Sequence, residues 1–256
     1  MPDKNYRVLS MGGGINTVAL LLHKGIDYYD KVIFADTGGE NPATYTYLDQ
    51  HVKPYCKDKF VTVKAKQTLE EYCEMKKFLP DMQARWCTQD FKVKPIRRYV
   101  KHTLKCTSDN PCIMDIGIAG DESHRLQGIR HPKYIKVDFP LAYEHITRKQ
   151  CENIIKAHGW PVPIKSGCYF CPYAGKKHFR KLAHNEPELF DRVIQLEKNF
   201  KRYPKYGLLP NGRKVSSIVQ GGSGLDDYIN IDDNIDADDN IDIDDNTQCD
   251  SGHCFV

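Results

Sequence analysis

Three consecutive glycines near the amino terminus have the residue type and spacing that favour binding of an anion. Gly12, Gly13 and Gly14 separate a short strand-like segment from an apolar stretch that predicts the start of a helix. Backbone N–H groups at the start of a helix lack partners within it, and glycine lets this backbone approach a phosphate without a Cβ in the way. We therefore predict a polyphosphate site at this turn, while a tight turn that binds nothing is the alternative.

Polar side chains at the ends of other predicted strands can complete such a site. Asp36 and Glu40 follow a second strand and could contact a ribose, an adenine or Mg²⁺. Asp121, Glu122 and Arg125 follow a later strand, in a turn that contains glycine. For Asp36 and Glu40 the alternative is a role in stabilising a turn or capping a helix.

The spacing Cys168-x-x-Cys171 is the strongest local indication of a metal site. Two thiolates at this spacing in a tight turn can bind one metal centre together, but they supply only half of a four-ligand site. Cys87 and Cys151 are the best candidates to complete it, since basic residues near each of them favour the thiolate. A thioredoxin-like dithiol, or reduced cysteines with a structural role, is the alternative.

The order of the predicted elements indicates how these residues are brought together. Strands alternate with helices, which predicts an α/β fold with a twisted parallel sheet and helices on both faces. Ligands of such sheets bind beyond the carboxyl ends of the strands, where the strand order reverses. The predicted strands are 6–9, 32–35, 60–63 and 113–118, and the predicted helices include 42–55, 69–77 and 152–158.

We divide the chain of 256 residues into a nucleotide-binding α/β domain at 1–145, a cysteine-containing helical subregion at 146–224 and an acidic tail at 225–256. The tail is predicted to be disordered, because its repeats of Asp, Asn and Ile lack bulky core residues and their like charges repel one another. Between 226 and 250 it carries 11 Asp and no Lys or Arg, so the rest of the chain is much more basic than the net charge of +3 suggests. A basic body favours a nucleotide or nucleic-acid partner, although a generally basic surface explains the charge equally well.

The chain has no apolar segment that approaches the roughly 20 residues needed to span a bilayer, and its amino terminus lacks the apolar core of a signal peptide. We therefore expect a cytoplasmic protein without a membrane partner. The ten cysteines would then be reduced, and they would be metal ligands, redox groups or buried thiols rather than disulfides. Cys249 and Cys254 lie in the tail, where they could act as mobile redox thiols.

The glycine turn resembles a known phosphate loop. Residues 12–17 are similar to the PP-loop, S-G-G-x-D-S/T, of the superfamily of N-type ATP pyrophosphatases and sulfonucleotide reductases. Thr17 keeps the hydroxyl of that motif, whereas Gly12 replaces its usual Ser and Asn16 its usual Asp. The segment matches neither G-x-x-x-x-G-K-[S/T] nor G-x-G-x-x-G, the two commonest phosphate loops. The resemblance implies the adenine nucleotide alpha-hydrolase-like (HUP) fold.

Two later segments resemble the same proteins. Residues 85–96 resemble a sulfonucleotide reductase segment that carries two adjacent iron–sulfur ligands, of which Cys87 is kept while Thr88 stands at the second position. Residues 165–173, with the C-x-x-C, and residues 148–151 resemble phosphoadenosine-phosphosulfate-reductase-like proteins of phages and mobile elements. The DNA phosphorothioation sulfurtransferases belong to this wider group.

This resemblance implies a nucleotide, a metal centre and a set of residues for each. ATP or a sulfonucleotide would bind the loop with its nucleoside near Asp36 and Glu40, and the cysteines would hold a [4Fe–4S] cluster or, alternatively, Zn²⁺. Thr88 leaves open whether three or four cysteines bind the cluster. The implied loop residues are Gly12, Gly13, Gly14, Asn16 and Thr17, the implied reaction-site residues are Lys92, Asp121, Glu122 and Arg125, and the implied metal ligands are Cys87, Cys151, Cys168 and Cys171.

Three functions are consistent with these features. The preferred one is ATP-dependent transfer of sulfur to a nucleic-acid or nucleoside acceptor, with a sulfur donor protein as partner. The second is a phosphoadenosine phosphosulfate (PAPS) or adenosine phosphosulfate reductase that releases sulfite with a thiol reductant, and this reaction needs a mobile nucleophilic cysteine such as Cys254. The third is a non-enzymatic nucleotide or nucleic-acid binding module with structural zinc or a cluster. The sequence leaves the oligomeric state open, including a homo-oligomer.

Overall fold

The computed structural model describes residues 5–80, 85–126 and 131–201, together with Ile218 and Leu225. The acidic tail predicted at 225–256 lies outside these residues except for Leu225, and the tail cysteines Cys249 and Cys254 lie outside them as well. Most of the stretch 202–224, which we assign to the helical subregion, is also outside the described ranges.

Within the described residues, five parallel strands form one sheet. The strands are β1 (Arg7–Met11), β2 (Lys31–Asp36), β3 (Phe60–Lys64), β4 (Cys112–Ile116) and β5 (Ile135–Asp138). Their order across the sheet is β3-β2-β1-β4-β5. In the register of the central strand, Val8 lies opposite Lys31 of β2 and Arg7 lies opposite Ile113 of β4. The predicted α/β fold with a parallel sheet is confirmed.

Helices connect the strands along the chain. The α-helices are α1 (Ile15–Lys24), α2 (Pro42–Tyr47), α3 (Lys53–Cys56), α4 (Leu69–Lys76), α5 (Trp86–Thr88), α6 (Lys94–His102), α7 (Pro140–Tyr143), α8 (Arg148–Ala157), α9 (Lys176–Asn185) and α10 (Pro187–Lys201). Leu48–Val52 forms a π-helical turn that joins α2 to α3, so the helix predicted at 42–55 is one helical segment with a widened turn. No helix in the described ranges is both long enough and apolar enough to cross a lipid bilayer.

The central strand is buried on both faces, which explains its nearly continuous apolar sequence. Successive side chains of a strand point to opposite faces. Leu9 accordingly packs in one apolar cluster with α1 and with Ile155 of α8, while Val8 packs in a second cluster with Ile96 and Val100 of α6. These two clusters confirm the prediction of helices on both faces of the sheet.

The two helices that matter most for the site begin in different ways. At α8 the Thr147 hydroxyl accepts a hydrogen bond from the Gln150 N–H and the Gln150 side chain accepts one from the Thr147 N–H, so Thr147 caps this helix in a capping box. At α1 the residue before the helix is Gly14, which has no side chain to cap the first turn. Backbone N–H groups at the start of α1 are therefore left for another partner.

Contacts divide the chain into two compact units. The described part of the first unit comprises 5–66, 88–126 and 131–167, and that of the second comprises 67–80, 85–87 and 168–201 with Ile218 and Leu225. The first unit contains the whole sheet, and the second contains α4, α9 and α10. Both units combine segments that are distant in sequence. The domain boundaries that we drew along the chain stay a prediction.

Buried carboxylates stabilise the second unit internally. Arg192 of α10 donates two hydrogen bonds to Glu70 of α4, at 2.8 and 2.7 Å, in the bidentate geometry that favours such pairs. Glu197 is 2% exposed and accepts hydrogen bonds from the N–H groups of Ile218 at 3.0 Å and Leu225 at 2.9 Å. These contacts connect α10 to α4 and to the chain beyond it.

Candidate functional site

The strand order reverses between β1 and β4, and the segments that follow these two strands meet there. β1 leads through residues 12–14 into α1, and β4 leads through 117–119 into the 3₁₀ turn Gly120–Leu126. A Cβ on Gly117 would lie 2.9 Å from the backbone nitrogen of Thr17, so the two segments approach each other closely. This is the position at which open parallel sheets bind their ligands.

The hydroxyl of Thr17 holds the glycine loop in shape. Its Oγ1 accepts a hydrogen bond from the Gly12 N–H at 3.3 Å and donates one to the Gly14 carbonyl oxygen at 3.1 Å. Gly13 between them has φ +76°, a conformation that glycine adopts without strain, and a Cβ there would lie 2.9 Å from Thr44 Cγ2. The loop is therefore closed by its own side chain, and position 13 requires glycine.

Asn16, in the first turn of α1, connects this loop to the segment after β4. Its Nδ2 donates a hydrogen bond to Glu122 Oε2 at 2.7 Å. Asn16 is 7% exposed, and its Oδ1 has no hydrogen-bond partner among the described residues. Arg125 Nη1 lies 2.5 Å from Glu122 Oε1, and the Ala119 N–H donates to Glu122 Oε2 at 3.4 Å. Three predicted site residues are therefore linked through Glu122, which contacts both Asn16 of the loop segment and Arg125 of the 3₁₀ turn.

Asp121 has a different contact from its neighbour Glu122. Both of its carboxylate oxygens accept a hydrogen bond from the backbone N–H of Arg148, at 3.1 and 3.3 Å. Arg148 is the first residue of α8, where a negative charge interacts favourably with the helix dipole. The side chain of Asp121 is exposed and caps α8 in this structure, while Glu122 contacts Asn16.

Asp36 ends β2 and accepts hydrogen bonds from three sides. Tyr45 Oη donates to its Oδ1 at 2.6 Å and the Gly38 N–H donates at 2.8 Å, while Lys64 Nζ lies 2.8 Å from Oδ2. Burial acts to raise the pKa of Asp36, but the hydrogen bonds from Lys64, Tyr45 and Gly38 outweigh it and bring that pKa below its ordinary value. Asp36 is therefore a firmly held carboxylate at the carboxyl end of the sheet.

Glu40 and Lys92 form a buried ion pair close to the same end of β2. Lys92 Nζ lies 3.0 Å from Glu40 Oε1, and the Thr37 hydroxyl donates to the same oxygen at 3.1 Å. The side chains of Lys92 and Glu40 are 12% and 1% exposed. Lys92 belongs to a π-helical turn, Gln89–Val93, that precedes α6. Two residues that the sequence assigned to different roles are therefore direct partners.

The sequence interpretation missed several partners of these carboxylates. Tyr45 and Lys64 contact Asp36 although one lies on α2 and the other at the end of β3. Neither position shows a motif, because a single tyrosine or lysine in a helix or strand is ordinary. Thr37 could have been found, since it adjoins Asp36 in the turn that also carries Glu40.

Ser166 is a further residue that the sequence did not single out. An ideal Cβ on Gly14 would lie 2.7 Å from its hydroxyl oxygen, so Ser166 stands directly against the glycine loop. The next residue, Gly167, accepts a hydrogen bond from the Asn41 N–H at 2.9 Å. Only the fold reveals this position, because in the sequence Ser166 belongs to the segment before the C-x-x-C.

Cys151, a predicted metal ligand, lies inside the core of the first unit. It is 0% exposed and packs on α8 in the same cluster as Leu141 and Ile155. Burial raises the pKa of the Cys151 thiol to about 12, and the nearby carboxylate of Asp121 acts in the same direction. In this arrangement the side chain is a neutral thiol among apolar neighbours.

The other three predicted metal ligands, Cys87, Cys168 and Cys171, belong to the second unit and are partly buried. The Cys171 N–H donates to the Cys168 carbonyl oxygen at 3.0 Å, which forms the tight turn expected for a C-x-x-C. Among the described residues, no group of three or more His, Cys, Asp or Glu side chains is arranged to hold a metal ion. The shared iron–sulfur or zinc centre of Cys87, Cys151, Cys168 and Cys171 stays a prediction.

Two known proteins are similar to this chain over most of its length. An uncharacterized protein of Methanocaldococcus jannaschii is 26% identical over 224 residues, which cover 77% of this chain and 49% of that protein. This chain therefore spans about half the length of the curated relative that it matches. Among solved structures, the crystal structure of PAPS reductase from Candida auris in a phosphate complex aligns with 62% of this chain and 76% of its own, at 19% identity and a TM-score of 0.48.

Residues 6–113 match the family described as the phosphoadenosine phosphosulfate reductase domain. The matched segment includes the first three strands, the glycine loop with Asn16 and Thr17, and the side chains of Asp36, Glu40 and Lys92. It was the resemblance of the loop and of the segment around Cys87 that predicted this family. The match covers 6–113, less than half of the chain, so over this segment the chain is similar to that family.

Proposed function

We propose that this chain is an enzyme that binds an adenine nucleotide, ATP or a sulfonucleotide, where the strand order reverses, and uses it in a sulfur-transfer reaction. One observation carries the proposal: the hydrogen bond of 2.7 Å from Asn16 Nδ2 to Glu122 Oε2. It joins the start of α1, which has no side-chain cap, to the segment after β4, at the position where open parallel sheets bind their ligands. The buried Asn16 Oδ1 needs a donor that a ligand can supply.

The phosphates of the nucleotide would bind to the glycine loop and to the start of α1. The N–H groups of the first helical turn and the helix dipole both favour an anion at this position. The adenosine would then extend over the carboxyl ends of β1 and β2, towards Asp36 and Glu40. These carboxylates can accept hydrogen bonds from a ribose or an adenine amino group.

The preferred reaction is ATP-dependent sulfur transfer. An oxygen of the acceptor attacks the α-phosphorus of ATP, the bond to the β-phosphate oxygen breaks, and pyrophosphate leaves. Sulfide then attacks the activated carbon directly. Where a donor protein supplies the sulfur as a persulfide, the outer sulfur attacks the carbon, and a second thiol of the donor then attacks the donor cysteine sulfur, so that the new carbon–sulfur group is released and the donor is left as a disulfide. The oxygen departs with AMP, so sulfur replaces oxygen on the acceptor without a net change in the oxidation state of the carbon. The exposed basic residues Lys94, Arg98 and Lys101 of α6 are consistent with a nucleic-acid acceptor.

Lys92 is the residue of the first unit that we assign to charge stabilisation in this reaction. Its ammonium group is paired with Glu40 at 3.0 Å and is only 12% exposed. In a site of low dielectric constant, a fixed cation stabilises negative charge that develops on the phosphates more strongly than it would in water. Glu40 would hold the ammonium group in place, while Glu122 and Arg125 would orient Asn16 from the opposite side of the crevice.

A second candidate is sulfonucleotide reduction, which the match of residues 6–113 to the PAPS reductase domain favours. A thiolate attacks the sulfur of the sulfonucleotide, and the nucleotide leaves. A second thiol then attacks the resulting thiosulfonate and releases sulfite, so two thiols are oxidised to a disulfide while sulfate is reduced to sulfite. Cys254, the thiol that we predict for this reaction, lies outside the described residues.

The two reactions differ in their products, so one experiment separates them. The full chain, purified without oxygen, is incubated with ATP and tRNA or DNA plus a sulfide source, and separately with PAPS and a dithiol. Pyrophosphate in the first mixture supports ATP-dependent transfer, and sulfite in the second supports the reductase. If neither product formed and the chain bound one zinc ion with no acid-labile sulfide, a nucleotide or nucleic-acid binding module would replace both.

A further inference from the structure

The side chains of the glycine loop have no hydroxyl left for a ligand. Gly12, Gly13 and Gly14 lack side-chain donors, and the hydrogen of the Thr17 hydroxyl is directed at the Gly14 carbonyl oxygen at 3.1 Å. The same Thr17 oxygen accepts the Gly12 N–H. Asn16 directs its amide donor to Glu122. Any side-chain hydroxyl that contacts a bound phosphate must therefore come from another part of the chain.

Ser166 is placed to supply this hydroxyl. Its Oγ would lie 2.7 Å and its Cβ 3.6 Å from a Cβ built on Gly14, so the oxygen is the part of Ser166 that is turned towards the loop. The Ser166 side chain is half-buried, and its hydroxyl forms no hydrogen bond with any described residue. The hydrogen bond from the Asn41 N–H to the carbonyl oxygen of Gly167 fixes the backbone next to it, at 2.9 Å.

We infer that the Ser166 hydroxyl donates a hydrogen bond to the anionic phosphoryl or sulfuryl group held by the glycine loop, and so supplies the hydroxyl that the loop lacks at Gly12. The inference rests on the proposed nucleotide site. Its chemical basis is that a hydroxyl without a protein partner, at the mouth of a loop whose backbone N–H groups favour an anion, forms a strong charge-assisted hydrogen bond with that anion. Ser166 is then a binding residue contributed from 152 residues beyond Gly14, by the segment that leads to the C-x-x-C.

The second observation at this position is independent of Ser166. Asn16 is only 7% exposed, and its Oδ1 has no hydrogen-bond partner among the described residues. A buried amide oxygen without a donor is unfavourable by about 1–3 kcal/mol unless a ligand or a water satisfies it. Asn16 and Ser166 therefore flank the loop with one unsatisfied acceptor and one unused donor. An adenine nucleotide offers both a hydroxyl or amino donor and an anionic acceptor.

The test compares nucleotides with and without the anionic group. The affinities of the full chain for adenosine, AMP, ATP and PAPS are measured by calorimetry for the wild type, Ser166→Ala and Ser166→Thr. Loss of a hydrogen bond to a charged group weakens binding about tenfold or more. We expect Ser166→Ala to show this loss for ATP or PAPS while its affinity for adenosine stays within about twofold. Ser166→Thr, which keeps the hydroxyl, should regain most of the affinity.

Two controls make the outcome specific. Ser108→Ala removes an exposed hydroxyl from a turn that precedes β4, at the opposite end of the sheet, and should leave all four affinities unchanged. The thermal midpoint of Ser166→Ala should equal that of the wild type, since its hydroxyl forms no hydrogen bond with the residues that the structure describes. If the wild type bound ATP or PAPS and Ser166→Ala bound them equally well, this inference would be wrong and the nucleotide site would stand. If the wild type bound none of the four compounds, the proposed function would be overturned, and this inference with it.

Discussion

The side-chain amide of Asn16 donates a hydrogen bond of 2.7 Å to the carboxylate of Glu122, across the point where the strand order reverses. Asn16 follows β1, and Glu122 follows β4. The superfamily that the loop resembles usually has Asp where this chain has Asn16. The amide of Asn16 can donate a hydrogen bond to the Glu122 carboxylate, whereas an ionised Asp at this position could not.

Asn16→Asp should therefore destabilise the chain, because it replaces a donor with a second carboxylate about 3 Å from Glu122. We expect a loss of about 1–2 kcal/mol in the free energy of unfolding at pH 8, which decreases towards pH 5 as the pair takes up a proton. Urea denaturation at both pH values measures it. Asn5→Asp, on an exposed residue before β1, is the control. An equal loss at both pH values would contradict like-charge repulsion as the cause.

Removal of Lys92 should destabilise the chain more than removal of an exposed lysine. Lys92→Ala leaves the Glu40 carboxylate, 1% exposed, without its cation, and we expect a loss of about 3 kcal/mol. Lys94→Ala breaks an exposed pair with Asp90 at 2.5 Å and should cost less than about 1 kcal/mol.

A double variant completes this test of the ion pair. Lys92→Ala with Glu40→Gln removes both charges, so part of the lost stability should return. Urea denaturation measures all variants, and ATP affinity is recorded in parallel. Similar losses for Lys92→Ala and Lys94→Ala would mean that burial of the Lys92 pair has no energetic consequence.

Asp115 should make the free energy of unfolding depend on pH. Its side chain is 0% exposed, with Arg7 Nη2 at 2.9 Å from Oδ1 and Tyr29 Oη at 3.1 Å from Oδ2. Burial raises the pKa of Asp115 to about 6, against the opposing effect of Arg7. The folded state then binds a proton more tightly than the unfolded state, so the contribution of Asp115 to stability falls as pH rises from about 4 to 6.

Asp115→Asn isolates this contribution. The stability of the wild type minus that of the variant should fall by about 2 kcal/mol between pH 4 and pH 6 and stay nearly constant from pH 7 to pH 8, because one pKa unit corresponds to about 1.4 kcal/mol. Asp109→Asn, in an exposed turn, should show no such change. If the stability difference between the wild type and Asp115→Asn instead rose with pH from 4 to 6, a raised pKa of Asp115 in the folded state would be contradicted.

Gly14→Ala should be destabilising because its new Cβ would lie 2.7 Å from the Ser166 hydroxyl oxygen. In the double variant Gly14→Ala with Ser166→Ala, the nearest remaining Ser166 side-chain atom is Cβ at 3.6 Å, an ordinary contact. We expect Gly14→Ala to lose about 1–3 kcal/mol and the double variant to regain most of it. Thermal denaturation of the single and double variants measures this coupling, and additive losses would argue against the contact.

Cys151→Ala distinguishes a core thiol from a metal ligand. Cys56 is its matched control, since it is 1% exposed in the same apolar cluster. We expect Cys151→Ala and Cys56→Ala to lose similar stability, about 1 kcal/mol each, and to contain as much iron, zinc and acid-labile sulfide as the wild type. A loss of metal in Cys151→Ala alone would support the four-cysteine centre that the sequence predicts.

Much of the fold could be predicted from the sequence because its signals are local. The strands 6–9 and 32–35 are recognisable as apolar runs; 32–35 lies within β2, and 6–9 overlaps β1, which begins at Arg7. The helix cap at Thr147 can be recognised in the sequence because a capping box involves only two residues that are three positions apart. The glycine loop could also be predicted, since a strand, three glycines and a helix are consecutive in the chain.

What the tertiary structure decided is which of these residues are partners. It pairs Lys92 with Glu40 and Asn16 with Glu122, gives Asp121 to the start of α8, and sets Ser166 against Gly14. The physical reason is distance along the chain: hydrogen bonds and ion pairs depend on a few ångströms between atoms, and the order of strands in the sheet sets those distances. The sequence alone determined the kinds of group that could take part, a phosphate-binding turn, carboxylates and thiols. Folding then determined their neighbours, because burial and packing bring together residues that no motif connects.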